Sequence, residues 1–122
     1  MPALLKNTHK NRGALAEQEA CDFLQKQGLT FLARNYHCPF GEIDLIMREG
    51  EDIVFIEVRL RSSTLYGDAL ESIHKNKQQK LLKSATHFLQ KQHWLDKVNY
   101  RFDAIGFTNS TIDWIKDAFS YE

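Results

Sequence analysis

The chain has 122 residues, 43% hydrophobic and 26% charged, a composition that excludes a disordered or fibrous segment and fits one compact soluble domain. A chain of this length buries roughly two-thirds of its unfolded surface, so it folds without disulfide or metal staples. Its longest apolar run, Ile53-Val54-Phe55-Ile56, is far below the ~18 residues of a membrane span. Lys plus Arg and Asp plus Glu number 16 each, so whole-chain charge neither selects nor excludes a polyanionic partner.

Residues 1–12 form a basic tail ahead of a domain expected over 13–119; without an apolar stretch or a small-residue cleavage site, the tail does not read as a signal peptide, and the expected location is the cytoplasm. From 13 to 27, Ala16, Ala20, Phe23 and Leu24 recur at helical spacing, and Gly28 stands where a C-cap belongs, so this is the first helix. Glu17 lies in line with Cys21 and Leu24, on the border of the buried stripe, where an acid can point into a cleft. Cys21 and Cys38 lack zinc-like spacing and read as inert thiols.

Residues 31–37 form a first strand, and Cys38-Pro39-Phe40-Gly41 is turn chemistry. Residues 42–47 form a second strand and 53–61 a third, joined by the short polar Glu49-Gly50-Glu51-Asp52 as an antiparallel hairpin. On the third strand Glu57 and Arg59 share a face. A turn symmetric about Gly50 and Glu51 places Asp44 across from Glu57 and Glu42 across from Arg59. Opposed carboxylates with Cβ atoms about 4.5–5.5 Å apart destabilise a sheet. A shared proton that raises one pKa, or a bound cation, relieves the repulsion; a bulge or slipped register removes it.

After a polar loop over 61–67 and a short helical turn over 68–72, a second main helix is expected over 76–92, with Leu81, Leu82, Ala85, Phe88 and Leu89 on its apolar stripe. Lys80, Lys83, His87 and Lys91 fall on the opposite face, and Lys77 falls at the stripe's edge. A second hairpin covers 98–107 and 111–116. This order predicts a single α/β domain with one mixed sheet and helices on its faces.

Charge is polarised along the chain: 73–93 carries five lysines and no acid, a local +5, whereas 42–57 carries six acids against Arg48, a local −5. Two solvated faces that neutralise each other account for this, and so does a cation-holding acidic cluster beside a polyanion-binding helix. Phosphodiester cleavage needs a hard cation on oxygen ligands; Asp44 and Glu57 match that demand, and Arg59, two residues after the second acid on the same face, can stabilise the pentavalent charge.

At these residues the chain resembles the small uncharacterised YraN-like bacterial proteins, placed in the restriction-endonuclease-like superfamily named for its PD-(D/E)xK motif. The likeness rests on Gly13-Ala14-Leu15-Ala16-Glu17-Gln18-Glu19-Ala20, on 35–46 including Gly41-Glu42-Ile43-Asp44, on Val54-Phe55-Ile56-Glu57-Val58-Arg59, and on Arg101-Phe102-Asp103. It implies an αβββαβ core similar to that of archaeal Holliday-junction resolvases. It also implies Asp44 and Glu57 as metal ligands with Glu17 as a further acidic ligand, Mg²⁺ or Mn²⁺ as cofactor, branched or structured DNA as partner, and a homodimer. Arg12, Arg59, Arg61, Lys75 and Lys77 are the expected nucleic-acid contacts.

The motif usually ends in Lys and here ends in Arg59, which cannot lose its proton and so cannot serve as a general base, although it can clamp a phosphate. Two functions therefore stand side by side. One is a metal-dependent endonuclease; the other is a non-catalytic nucleic-acid-binding or scaffolding module that kept the nuclease fold, with Glu42 holding Arg59 in a structural ion pair.

Overall fold

The computed structural model describes residues 8–61, 74–108 and 111–119, with side chains for all of these except 8–12 and 61. Helix α1 runs Thr8–Lys26 and is followed by strands β1 (Thr30–Cys38), β2 (Gly41–Glu49) and β3 (Asp52–Arg61), helix α2 (Lys75–Lys91), and strands β4 (Tyr100–Thr108) and β5 (Thr111–Ile115). The helix expected from residue 13 thus begins at Thr8 and takes in part of the expected tail. Arg61 closes β3, and the rest of the loop expected over 61–67, the helical turn expected over 68–72, and Asn109 and Ser110 lie outside the described residues.

Local sequence explains the boundaries. α1 ends in a Schellman motif: Gly28 adopts φ +103°, its N–H bonds Gln25 O at 3.0 Å, and Leu29 N–H bonds Leu24 O at 3.0 Å, with Leu24 and Leu29 both buried. α2 closes the same way through His93 at φ +65°, with Trp94 N–H on Leu89 O at 2.8 Å. Gly50 at φ +62° turns the β2–β3 hairpin, and the register is the symmetric one, from Glu49 opposite Asp52 to Leu45 opposite Ile56.

The five strands form one sheet in the order β1-β2-β3-β4-β5, with β3 and β4 parallel and the other neighbours antiparallel. The parallel step is possible because the connection from β3 to β4 is long and includes α2. Each face carries one helix. Ala16, Ala20 and Leu24 of α1 pack on Leu45, Met47, Val54 and Ile56, whereas Leu81, Ala85, Phe88 and Leu89 of α2 pack on Ile46, Ile53, Phe55 and Phe102. β3 is apolar on both faces as far as Ile56, as a strand covered on both sides must be. After Asp52 at its start, its next charged side chains, Glu57 and Arg59, appear where β2 leaves it. Among the described residues no helix is long and apolar enough to cross a membrane.

Candidate active site

The β2–β3 ladder stops at Leu45 and Ile56. At the next step Asp44 Oδ2 accepts the Val58 backbone N–H at 2.8 Å, so a side chain stands in for the missing ladder bond and the two strands part. A cleft of about 190 Å³ opens at this fork, lined by Glu17 from α1, Glu42 and Asp44 from β2, Glu57 and Arg59 from β3, and Lys77 from α2. Four elements thus bring Glu17, Asp44, Glu57, Arg59 and Lys77 to one place, residues drawn from 61 positions of chain.

Glu57 lies at the centre. Its side chain is only 4% exposed, and Oε2 accepts from Arg59 Nη2 at 2.7 Å and from Lys77 Nζ at 3.3 Å. Oε1 is buried with no hydrogen-bond partner among the described residues, and so is Arg59 Nε. Burial first, and the neighbouring Asp44 charge second, push the Glu57 pKa up to about 7, while Arg59 and Lys77 pull against the rise. Burial and the Asp44 charge thus favour the protonated form of Glu57, the direction in which a shared proton relieves the opposed acids of the hairpin.

Glu17 faces the same cleft from the other side of the sheet. Burial and the Asp44 charge raise its pKa, and hydrogen bonds from Arg34 and Asn35 oppose the rise. Arg34 holds α1 to β1: Nε meets Glu17 Oε1 at 3.5 Å, Nη1 donates to Gln18 Oε1 at 2.8 Å, and Nη2 donates to Ala14 O at 2.6 Å. Asn35 adopts φ +53° in the middle of β1, a conformation Asn tolerates better than most residues. Arg34 is marked by neither motif nor spacing, and Asn35 enters the sequence reading only as the first residue of the 35–46 run that carries the family resemblance, with no role given to it. Among the described residues no three His, Cys, Asp or Glu side chains form a ready-made ligand set.

The other expected contacts are dispersed. Lys75 is exposed at the start of α2 and does not line the cleft. The side chains of Arg12 and Arg61 lie outside the described residues. Glu42 does not hold Arg59: it pairs with His37 at 3.1 Å, and Arg59 pairs with Glu57. Arg101 and Asp103 are structural. The fully buried Asp103 carboxylate accepts from Arg101 Nε at 2.9 Å and Nη2 at 3.2 Å, from Trp114 Nε1 at 3.0 Å and from the Asp117 backbone N–H at 2.9 Å, so its acceptor capacity is used up.

Comparison with known proteins places this geometry in a family. The uncharacterised protein family UPF0102 matches residues 16–107, a span that contains every residue of the cleft except Gly13. The UPF0102 protein of Nitrosococcus oceani is 46% identical over 119 residues, covering 94% of this chain and 96% of that protein. Those of Nitrosomonas europaea and Saccharophagus degradans are 52% and 46% identical over 112 residues, covering 89% and 92% of this chain and 93% and 95% of theirs. On the extent of these matches, the chain belongs to the uncharacterised protein family UPF0102.

Proposed function

We propose that this chain is a metal-dependent phosphodiesterase of restriction-endonuclease-like fold that cuts branched or structured DNA with Mg²⁺ or Mn²⁺. The observation that carries this reading is Glu57, which shares a cleft with Asp44 and has one carboxylate oxygen, Oε2, on two cationic side chains and the other, Oε1, buried without a partner among the described residues. A buried polar atom without a partner is costly unless something supplies the missing interaction. The element order α1-β1-β2-β3-α2-β4 with parallel β3 and β4 supports the fold assignment.

The donor set fits a hard divalent cation, which takes one or two carboxylates and keeps several waters, so a three-ligand cage is not required. Asp44 and Glu57 would hold it, with Glu17 as the neighbouring third acid. When bound, the cation neutralises phosphate charge and acidifies a water. Asp44 is fixed by its bond to Val58 N–H, which sets the direction of its carboxylate. Glu57 would ligate in its ionised form, which Arg59 and Lys77 favour. Arg59, which lines the cleft, would clamp a phosphate oxygen with its guanidinium. The lysine that the motif lacks at 59 is supplied by Lys77, which reaches the same Glu57 oxygen from α2.

The test is incubation of the purified protein with duplex, flapped and four-way DNA in Mn²⁺ or EDTA, beside Glu57→Ala. Cleavage that needs the cation and vanishes in the variant is the expected result. Absence of cleavage together with absence of Mn²⁺ uptake by calorimetry removes the reading.

A second reading has its own support. Arg59 and Lys77 already occupy Glu57 Oε2 in an internal ion network, and Arg59 cannot act as a base. These fit a non-catalytic nucleic-acid-binding module, which predicts DNA binding without cation uptake.

A further inference from the structure

α2 carries more positive charge than the cleft uses. Lys77, Lys80, His87 and Lys91 are spaced by three, seven and four residues and lie along one ridge of the helix, at the border of its buried face, where Ser84 is fully buried. At 1.5 Å per residue this ridge extends roughly 21 Å. Lys77 is its cleft end, and an open depression of about 420 Å³ lined by His87, Gln90 and Lys91 is the other. Lys80 and Lys91 are exposed and have no carboxylate partner among the described residues. α2 contains no acid. Glu42, the acid next to Gly41, is engaged by His37.

The ridge also has an aromatic border. α2 passes over the start of β2 at Gly41, whose φ of +145° calls for glycine: a Cβ there would make ordinary contacts, 3.6 Å from Ser84 Oγ and 3.9 Å from Lys80 Cβ. That approach sets the preceding turn beside the ridge, where Phe40 is 47% exposed and meets the His87 ring edge-to-face at 6.2 Å between centroids. Tyr36 hydrogen-bonds His87 from below through its hydroxyl and fixes the ring. An exposed aromatic next to a line of cations is the construction that binds unpaired nucleic acid, because a base must be unstacked before it can lie on a protein ring.

We infer that the α2 ridge from Lys77 to Lys91, with Phe40 as a stacking platform, is a binding track for a single, unpaired nucleic-acid strand that leads to the Asp44–Glu57 cleft. Its relation to the cleft rests on the catalytic reading above; strand binding by the track does not. A duplex offers phosphates to the same lysines but no free base to Phe40, so the track discriminates by strandedness and not by sequence.

The experiment is fluorescence anisotropy of the full chain with a labelled 20-nucleotide oligo(dT) and with a duplex of equal length, in EDTA across a salt series. The single strand is expected to bind at least about tenfold more tightly than the duplex. Lys80→Glu with Lys91→Glu should weaken single-strand binding by at least about tenfold and reduce the salt slope by about 1.4, since each of the two lost phosphate contacts on a single strand contributes roughly 0.7. Phe40→Ala should cost about tenfold on the single strand and leave duplex binding unchanged. Lys26→Glu, a single charge reversal at the end of α1, should alter affinity less than twofold. The inference is overturned if Lys26→Glu weakens binding as much as the double reversal, if duplex binds as tightly as single strand, or if no binding occurs at low salt. Thermal melts of these exposed-site variants verify that each is folded. Absence of cleavage by the wild-type protein with this binding pattern intact removes only the catalytic reading, and cleavage without this binding pattern removes only the track.

Discussion

Asp44 fastens the backbone of the neighbouring strand at Val58, at the first step beyond the last β2–β3 ladder pair. The same carboxylate thereby opens the fork and is oriented in it. Asp44→Ala leaves the Val58 N–H without its acceptor, a loss of about 1–2 kcal/mol that relief of charge at Glu57 partly offsets. Asp44→Asn keeps a carbonyl oxygen in place and should unfold in urea close to wild type. Both should abolish Mn²⁺ uptake in calorimetry. Equal stability for the two variants would show that the Val58 bond contributes nothing.

Glu57 makes stability depend on pH in a defined direction. Its carboxyl titrates near 4.5 unfolded and at about 7 in the folded protein, so the folded state binds the proton more tightly. Its contribution is fully present below pH 4.5 and is lost as pH rises through 7, by up to about 3 kcal/mol at 1.36 kcal/mol per pKa unit. Urea midpoints in EDTA should therefore fall between pH 5 and 8 in wild type. In Glu57→Gln that part of the fall should vanish, leaving the variant relatively more stable at pH 8 than at pH 5. Parallel profiles for the two proteins would contradict the buried, proton-holding Glu57.

Much of this site was legible because hairpin register follows from turn symmetry. Gly50 and Glu51 placed 45–49 correctly against 52–56, and pleat alternation put Glu57 and Arg59 on one face. The fork was not legible, since a strand pattern does not reveal that an Asp side chain will replace a ladder bond. Lys77 could be placed at the edge of its helix stripe, but not on Glu57, because the distance from α2 to the sheet is set by tertiary packing that includes Gly41. The parallel pairing of β3 with β4 was equally hidden: both strands are apolar on two faces, and alternation carries no sign of strand direction. Thr8–Lys26 starts earlier than its apolar stripe because residues 8–12 are polar and carry no periodic signal.

Asp103 tests the separation of structural from functional acids. Its carboxylate is wholly buried and accepts from Arg101, Trp114 and Asp117, so Asp103→Ala strands several donors at once and should destabilise by about 3–5 kcal/mol. Thermal melting monitored by tryptophan fluorescence, which reports on Trp114, should show an early transition. Below that transition Mn²⁺ affinity should be unchanged. A Mn²⁺ defect in a folded Asp103→Ala protein would mean that the carboxylate acts on the cleft as well as on β4 and β5.

Lys77 and Arg59 share one Glu57 oxygen, yet they are not interchangeable. Lys77→Ala removes a cation that lowers the Glu57 pKa, so the carboxyl holds its proton to higher pH and cation uptake must begin at higher pH than in wild type. Arg59→Lys keeps the positive charge on β3 and should leave that midpoint nearly in place while giving up the forked geometry that suits a phosphate. Mn²⁺ titrations by calorimetry at several pH values separate the two: an upward shift for Lys77→Ala with little shift for Arg59→Lys is expected. If Lys77→Ala leaves the midpoint unmoved, the ammonium does not act on Glu57. Its role is then confined to contacts with a bound strand, which oligo(dT) affinity in EDTA measures directly.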